Sequence, residues 1–469
     1  MQKLPLHLLL VMCFVATGLS AKTINVSSLP ALEETLEHAA PGTKIVLANG
    51  VYTSTNAIRI VQQGTARRPI TISAETLGGA EINGTDGFHL EAPAAYIVIS
   101  GFKFTHGVGQ EGAPIGGEEI AAGANHCRYT RCTFELTGRG HYLMISGDDA
   151  EIDHNTFQNK ITEGQMIIVH GPGTNQMAQR TWIHHNFFNN FRDTHENNCS
   201  AIQIGVSGRS MASAHALVES NLFLHCHGEN ENICNKSCEN IYRFNTFGEG
   251  CSELSLRHGN SNVVYANFFL GSEGVRIFGR DDKIYSNYFE KCVRAIHIGN
   301  GDGIIPPAKL TAHDRPDRIQ IVFNTLIDNK NSLVMAGRNQ GLGAADFTFA
   351  DNIIETRGKA VAIDGPLTNA SWQGNIIWGC TNGVGNIPEE GFKLIDPQLK
   401  SDAHGEFHLQ AGSPAIGSAV GSYPYVKMDI DGKKRRGKLD VGADQTVRGE
   451  ITNRILTPAD VGPNAAMSM

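Results

Sequence analysis

One short pattern limits what this chain can fold into more than any other feature: an apolar or small stretch, an asparagine, one residue, then phenylalanine or an aliphatic. It reads IDHNTF, IHHNFF, VESNLF, YRFNTF, VYANFF, IYSNYF, IVFNTL, FADNII and WQGNII, with RCTF at Cys132 as a variant start. The repeated asparagines are Asn155, Asn186, Asn221, Asn245, Asn267, Asn287, Asn324, Asn352 and Asn375. The closest copies, Asn267 and Asn287, are 20 residues apart and the widest, Asn287 and Asn324, are 37 apart, so longer intervals read as one period plus a loop. Each interval holds short runs of β-branched and aromatic residues broken by Gly, Asn or Asp, without an amphipathic helical pattern. Short strands stacked at this period make a solenoid.

The leucine framework of leucine-rich repeats is missing, and an aromatic follows the recurrent polar residue. These features favour an all-β, single-domain, right-handed parallel β-helix in which the asparagines point inward and stack coil upon coil, a structural role rather than a catalytic one. A length of 469 residues, which would otherwise suggest two or three domains, is then accounted for by one elongated domain over 22–448. Solenoid ends need covers. LPALEETLEHAA, Leu29 to Ala40, is the clearest helical stretch and reads as a short N-terminal capping helix; Asp429 to Asp444 is polar and turn-rich, and 449–469 reads as a loosely held C-terminal tail.

Residues 1–21 carry a lysine near the start, an apolar stretch from Leu8 to Val15 and small residues at the end, the pattern of a secretory signal peptide. No later apolar run approaches the length of a membrane span. The expected location is periplasmic or secreted, with no membrane partner. Nine cysteines follow the leader, an odd number, so at least one thiol stays free even in an oxidising compartment. A formal net charge of -8 argues against a nucleic-acid partner and requires any polyanion site to be locally basic. Lys236, Arg243, Arg257, Arg276, Arg280, Lys283, Lys291 and Arg294 offer such a face, with Arg243 and Lys291 read as surface solubilisers.

In a β-helix a residue one period on sits about 4.8 Å above. Lys236 and Arg257, 21 residues apart where Asn245 and Asn267 are 22 apart, should therefore stack on one face of consecutive coils and suggest an anionic ligand. In GENENICNKS, Glu229 and Glu231 share strand parity and leave the same face. Like charges so close are costly unless one is protonated or a cation intervenes, and calcium with an amide oxygen from Asn197 or Asn198 would serve. The bland reading has both glutamates facing solvent. A zinc site from His225, His227, Cys234 and Cys238 lacks the usual ligand spacing. A paired-carboxylate glycosidase stays open, since Glu229 and Glu231 would sit roughly 7 Å apart on one strand. For Lys236 to face the same groove as the glutamates, strand parity must reverse, and the expected place is Cys234–Asn235.

The runs NKSCENIYRFNTF and LSLRHGNSNVVYANFFLGSEGVRIFG, with CTFELTG, IDHNTFQNK, IHHNFF and NNCSAIQIG upstream, resemble polysaccharide lyase family 6, the chondroitinase B and alginate lyase family. The resemblance covers roughly residues 125 to 300 well. It implies a catalytic base at Lys236, a catalytic arginine at Arg257, calcium ligands at Asn197, Glu229 and Glu231, and substrate contacts at His258 and, more weakly, Arg276. Ser200 stands where the family usually has a glutamate.

The same resemblance implies β-elimination on an acidic polysaccharide, with calcium neutralising the uronate carboxylate, Lys236 taking the C5 proton and Arg257 meeting the developing charge. Alginate is the expected substrate and dermatan sulfate the alternative, for which residues 302–346 offer only Arg315, Arg318 and Arg338. A glycoside hydrolase or a non-catalytic carbohydrate-binding β-helix completes the rival readings.

Overall fold

Each copy of the asparagine pattern turns a corner between two strands. In the copy around Asn245, a strand over Ile241–Arg243 ends, Phe244 takes a left-handed backbone at φ 57°, and a new strand runs over Thr246–Phe247. The residue before the asparagine repeats this conformation at His154, His185, Ser220, Ala266, Ser286, Phe323 and Asp351. A non-glycine residue held left-handed costs energy, and the asparagine that follows supplies the hydrogen bonds that offset it.

The computed structural model describes residues 22–109, 114–192, 194 and 196–466; the expected leader over 1–21 lies outside them. Among these residues the strands form three long parallel sheets of 14, 14 and 12 strands. We call them the first sheet, which begins at Thr23–Val26, the second, which begins at Gly50–Ser54, and the third, which begins at Ile58–Ile60. The chain visits them in that order once per coil, and the architecture is the right-handed parallel β-helix expected from the repeat.

All nine repeated asparagines are fully buried. Asn245 shows the bonding: its Nδ2 donates to Asn267 Oδ1 at 3.0 Å and to Val218 O at 2.9 Å, while its Oδ1 accepts from the backbone N–H and the Nδ2 of Asn221, both at 3.0 Å. The ladder of Nδ2 to Oδ1 bonds runs unbroken from Asn155 to Asn375. Beside it the phenylalanines two residues on stack from Phe134 to Phe289, with ring centroids 4.4 to 5.0 Å apart, the spacing of the strands that carry them.

The N-terminal cover is a helix over Leu29–Glu37, capped by Ser28 Oγ, which accepts from Ala31 N at 3.3 Å, with Leu32 and Leu36 buried on the first coils. At the other end the stack stops at a strand over Phe392–Leu394, earlier than the expected boundary at 448. An antiparallel hairpin, Leu399–Ser401 with Phe407–Leu409, follows, and the chain then runs back along the outside of the solenoid. The tail past 448 differs from the loose segment expected. Asn453 Nδ2 donates to Ala266 O at 3.0 Å, Gly462 N to His185 O at 2.9 Å, and Arg131 donates to the carbonyls of Pro463 and Ala465. Ala266 and His185 are corner residues, so the tail is held by carbonyls that the sharp asparagine corners leave accessible.

Candidate active site on the third sheet

The outer face of the third sheet carries a column of residues in register: Met144, Ile168, Gln203, Cys234, Ser255, Arg276 and His297. Two of its strands, Glu231–Lys236 and Glu253–His258, hold most of the expected site and are the irregular ones. Their pairing runs Glu231 with Glu253, Ile233 with Leu254, Asn235 with Leu256, then Lys236 with His258, with register shifts at both ends.

The first shift makes Asn232 an extra residue, and this is where parity reverses. Glu231 and Lys236 both point outward because one residue is inserted between them at Asn232, not at Cys234–Asn235. The second shift makes Arg257 the extra residue, so Lys236 is opposite His258 and the direct stacking of Lys236 on Arg257 is replaced by a diagonal relation. Both cations remain partly exposed on the outer face.

Glu231 organises the charge. Its Oε1 accepts from Arg257 Nη1 at 2.9 Å and from Arg276 Nη2. Burial works to raise its carboxyl, but Arg276 and Arg257 more than offset this and hold it below the usual range. Arg276 also donates through Nε to Ser255 Oγ at 3.1 Å, lies 3.5 Å from Glu253 Oε2 and packs over the Phe278 ring. Its guanidinium is thus committed to fixing Glu231, a tighter engagement than the substrate contact expected for it.

Glu229 lies just before the strand. Its Oε1 accepts from Cys199 N at 2.9 Å, which brings the Asn197–Cys199 segment against it. Burial and the neighbouring Glu231 push its carboxyl up, and it has no ion-pair partner among the described residues. Asn197 is exposed at the rim, while Ser200 Oγ and both polar atoms of the Asn232 side chain are buried without a protein partner. A desolvated carboxylate, a second one beside it and the oxygens of Asn197, Ser200 and Asn232 nearby offer donors of the kind that fits a hard cation. The fit rests on Asn197, Glu229 and Glu231.

His258 is 2% exposed, so it is not presented to a polymer in the groove as expected. Burial, Arg257, His313 and Lys236 push its imidazole down to about 3, and it packs under His313 with ring centroids 5.9 Å apart. His313 belongs to the loop after the Ile296–Ile298 strand, where Asp302 lies 3.5 Å from its Nδ1 and accepts Arg338 at 2.7 Å.

The broad basic face is narrower than expected. Arg243 pairs with Glu219, Arg280 with Asp314, Lys291 with Glu290 and Arg294 with Glu273, while Lys283 lies over Tyr425. Of the eight, Lys236 and Arg257 stand on the bulged strands, Arg276 binds Glu231 beside them, and Arg294 also lies 3.3 Å from Glu253. His225 and His227 are exposed and Cys226 between them is buried, which gives no zinc cluster with Cys234. All nine cysteines of the described chain are free thiols.

Glu253 was missed by sequence reasoning. It is fully buried, with Oε1 3.0 Å from His297 Nδ1 and 3.3 Å from Arg294. Its signal was the period itself, since it follows Glu231 by 22 residues, the step from Asn245 to Asn267. A groove of about 530 Å³ continues the site toward the N-terminal coils, lined by Arg139, His141, Gln165, His170, Asn198 and Gln203.

A family model described as chondroitinase B matches residues 26–371. No curated protein matches. Among solved structures, an arginine-to-alanine mutant of the PL6 family alginate lyase AlyGC superposes with TM-score 0.73 at 24% identity over 83% of this chain and 55% of that one. The chain thus spans just over half of AlyGC. A mannuronic acid specific polysaccharide family 6 lyase from human gut microbiota gives TM-score 0.69 at 24% identity, covering 80% of this chain and 91% of that one. The alginate lyase AlyF-OU02 gives 0.69 at 21%, covering 85% and 92%. These likenesses establish a shared fold.

Proposed function

The chain belongs to the chondroitinase B family, and from that premise we propose that it is a polysaccharide lyase cleaving a uronic-acid polymer, alginate first, by β-elimination. The observation that carries the reading is Lys236 beside an arginine that Glu231 holds in place, on bulged strands at the end of an open groove. The C5 proton of a uronate is weakly acidic because the adjacent carboxylate is already negative. Lys236, as the neutral amine, takes that proton. Arg257, oriented by its bond to Glu231, faces the negative charge that develops as the proton leaves. The electron pair then forms the C4–C5 double bond as O4 departs and takes a proton from water or a protonated side chain, giving an unsaturated sugar at the new non-reducing end.

Asn197, Glu229 and Glu231 would hold calcium, which supplies neutralisation of the uronate carboxylate. Export, as the leader motif suggests, would place the enzyme where such polymers are met.

Two features support alginate over dermatan sulfate. The named fold neighbours are alginate lyases or a mannuronic acid specific lyase. Of the three arginines at hand for a sulfate, Arg318 is taken by Asp281 and Asp317, and Arg338 by Asp302. Hydrolysis is disfavoured because two guanidinium groups on Oε1 keep Glu231 ionised, so it cannot serve as the proton-donating acid of a carboxylate pair.

Incubation with alginate and with dermatan sulfate tests the reading through the ultraviolet absorbance of the unsaturated product. Absorbance growing with alginate is expected, and loss of it on chelation would support the calcium role. New reducing ends without absorbance would replace the lyase by a hydrolase.

A further inference from the structure

A second cluster of carboxylates lies far from the lyase machinery, under the C-terminal hairpin on the outer face of the second sheet, where Phe407 N donates to Tyr288 OH. Asp402, Glu406, Asp429, Asp431 and Asp444 converge there around His408 and Lys433. The grouping divides in two. Asp429, Asp431 and Asp444 surround Lys433 Nζ at 3.5, 2.7 and 3.5 Å, so the chain supplies its own cation on that side. On the other side Glu406, His408 and Asp431 each bring a ligand atom within 4.8 Å of the others.

Two independent features mark this second side as a ligand site. Glu406 is 5% exposed, and its Oε1 has no hydrogen-bond partner, a costly state for a buried carboxylate. His408 is oriented as metal-bound histidines are: Nδ1 faces Asp444 Oδ2 at 3.5 Å, and Leu409 N at 3.2 Å holds that carboxylate in turn. This aims Nε2 at Asp402 Oδ2, 3.7 Å away, and Glu406 Oε2, 4.0 Å away. These separations are too long for hydrogen bonds and suit two donors that meet one small ion at a wide angle with bonds of about 2.0–2.2 Å.

We propose that Glu406, His408 and Asp431, with Asp402 at the edge, bind a divalent transition-metal ion of the zinc or manganese class, which pins the C-terminal hairpin to the solenoid. An imidazole with carboxylates selects such an ion over calcium, which takes oxygen donors alone. The site is independent of the lyase reading.

The test uses the full-length protein, metal-stripped and then dialysed against Zn2+ or Mn2+, with metal counted by elemental analysis. Wild type and Glu229→Gln should each retain about one equivalent that Glu406→Gln and His408→Gln lose, and the ion should raise the melting temperature of the first two only. Should a variant fold poorly, Co2+ added to wild type gives a second readout: visible d–d bands that excess Zn2+ abolishes. Equal metal content in wild type and Glu406→Gln, loss of the metal only in Glu229→Gln, or no cobalt bands would overturn the proposal. Stabilisation by Ca2+ alone would do so as well.

Discussion

The asparagine corner and the outer face of the third sheet are built by the same coils, yet one is regular and the other deliberately irregular. At the corner every asparagine keeps its register from Asn155 to Asn375 and every amide finds its partners. On the third sheet the two strands that carry Glu231, Lys236 and Arg257 slip register twice, and Asn232 is left with both side-chain polar atoms unpaired. A ladder gains from repetition, because each bond sets up the next. A reaction centre needs unlike groups side by side, and in a strict repeat those groups would face opposite sides of the strand.

Substitutions can break that contrast. The largest effect is expected from Lys236→Ala, which should lower kcat by about 10²–10⁴-fold while the thermal melt stays put; a retained rate would remove Lys236 as the base. Next comes Asn245→Ala, which strips Val218 O and the Asn221 amides of a partner in a fully buried position. A loss of about 3 kcal/mol in denaturant unfolding is expected, with turnover per folded molecule unchanged. Asn232→Ala sharpens the comparison from the other side: an asparagine without protein partners should cost less than about 0.5 kcal/mol in the same unfolding experiment, and a cost equal to that of Asn245→Ala would show the two asparagines to be alike.

An effect of another kind concerns pH. His258 is pushed down to about 3 by burial and the neighbouring cations, so the unfolded chain binds a proton there that the folded one does not. Stability should therefore fall as pH drops from the ordinary histidine value of about 6.5 toward that folded value. His258→Gln should flatten the pH dependence of the melt over that window, and an unchanged slope would assign the acid sensitivity elsewhere.

Much of this was legible in the residues. The nine asparagines announced the stack, the capping helix stood out in the stretch Leu29 to Ala40, of which Leu29–Glu37 is helical, and the approximate period brought Lys236 near Arg257. The period also pointed to Glu253, which was overlooked because a single buried glutamate carries no motif. The register shifts were not legible: a bulge adds one residue to a strand without changing its composition. The pairing of Arg280, Arg294 and Lys291 with acids on neighbouring turns was equally hidden, so the basic face was overcounted.

What the sequence by itself determined is the solenoid, because a recurrent buried amide and aromatic can be satisfied along their whole length only by stacking like on like. The tertiary structure alone decided which residues face the groove and where the C-terminal segment lies. Both depend on contacts between distant parts of the chain: the mismatch of Glu231–Lys236 with Glu253–His258, and the carbonyls of Ala266 and His185 that hold Asn453 and Gly462.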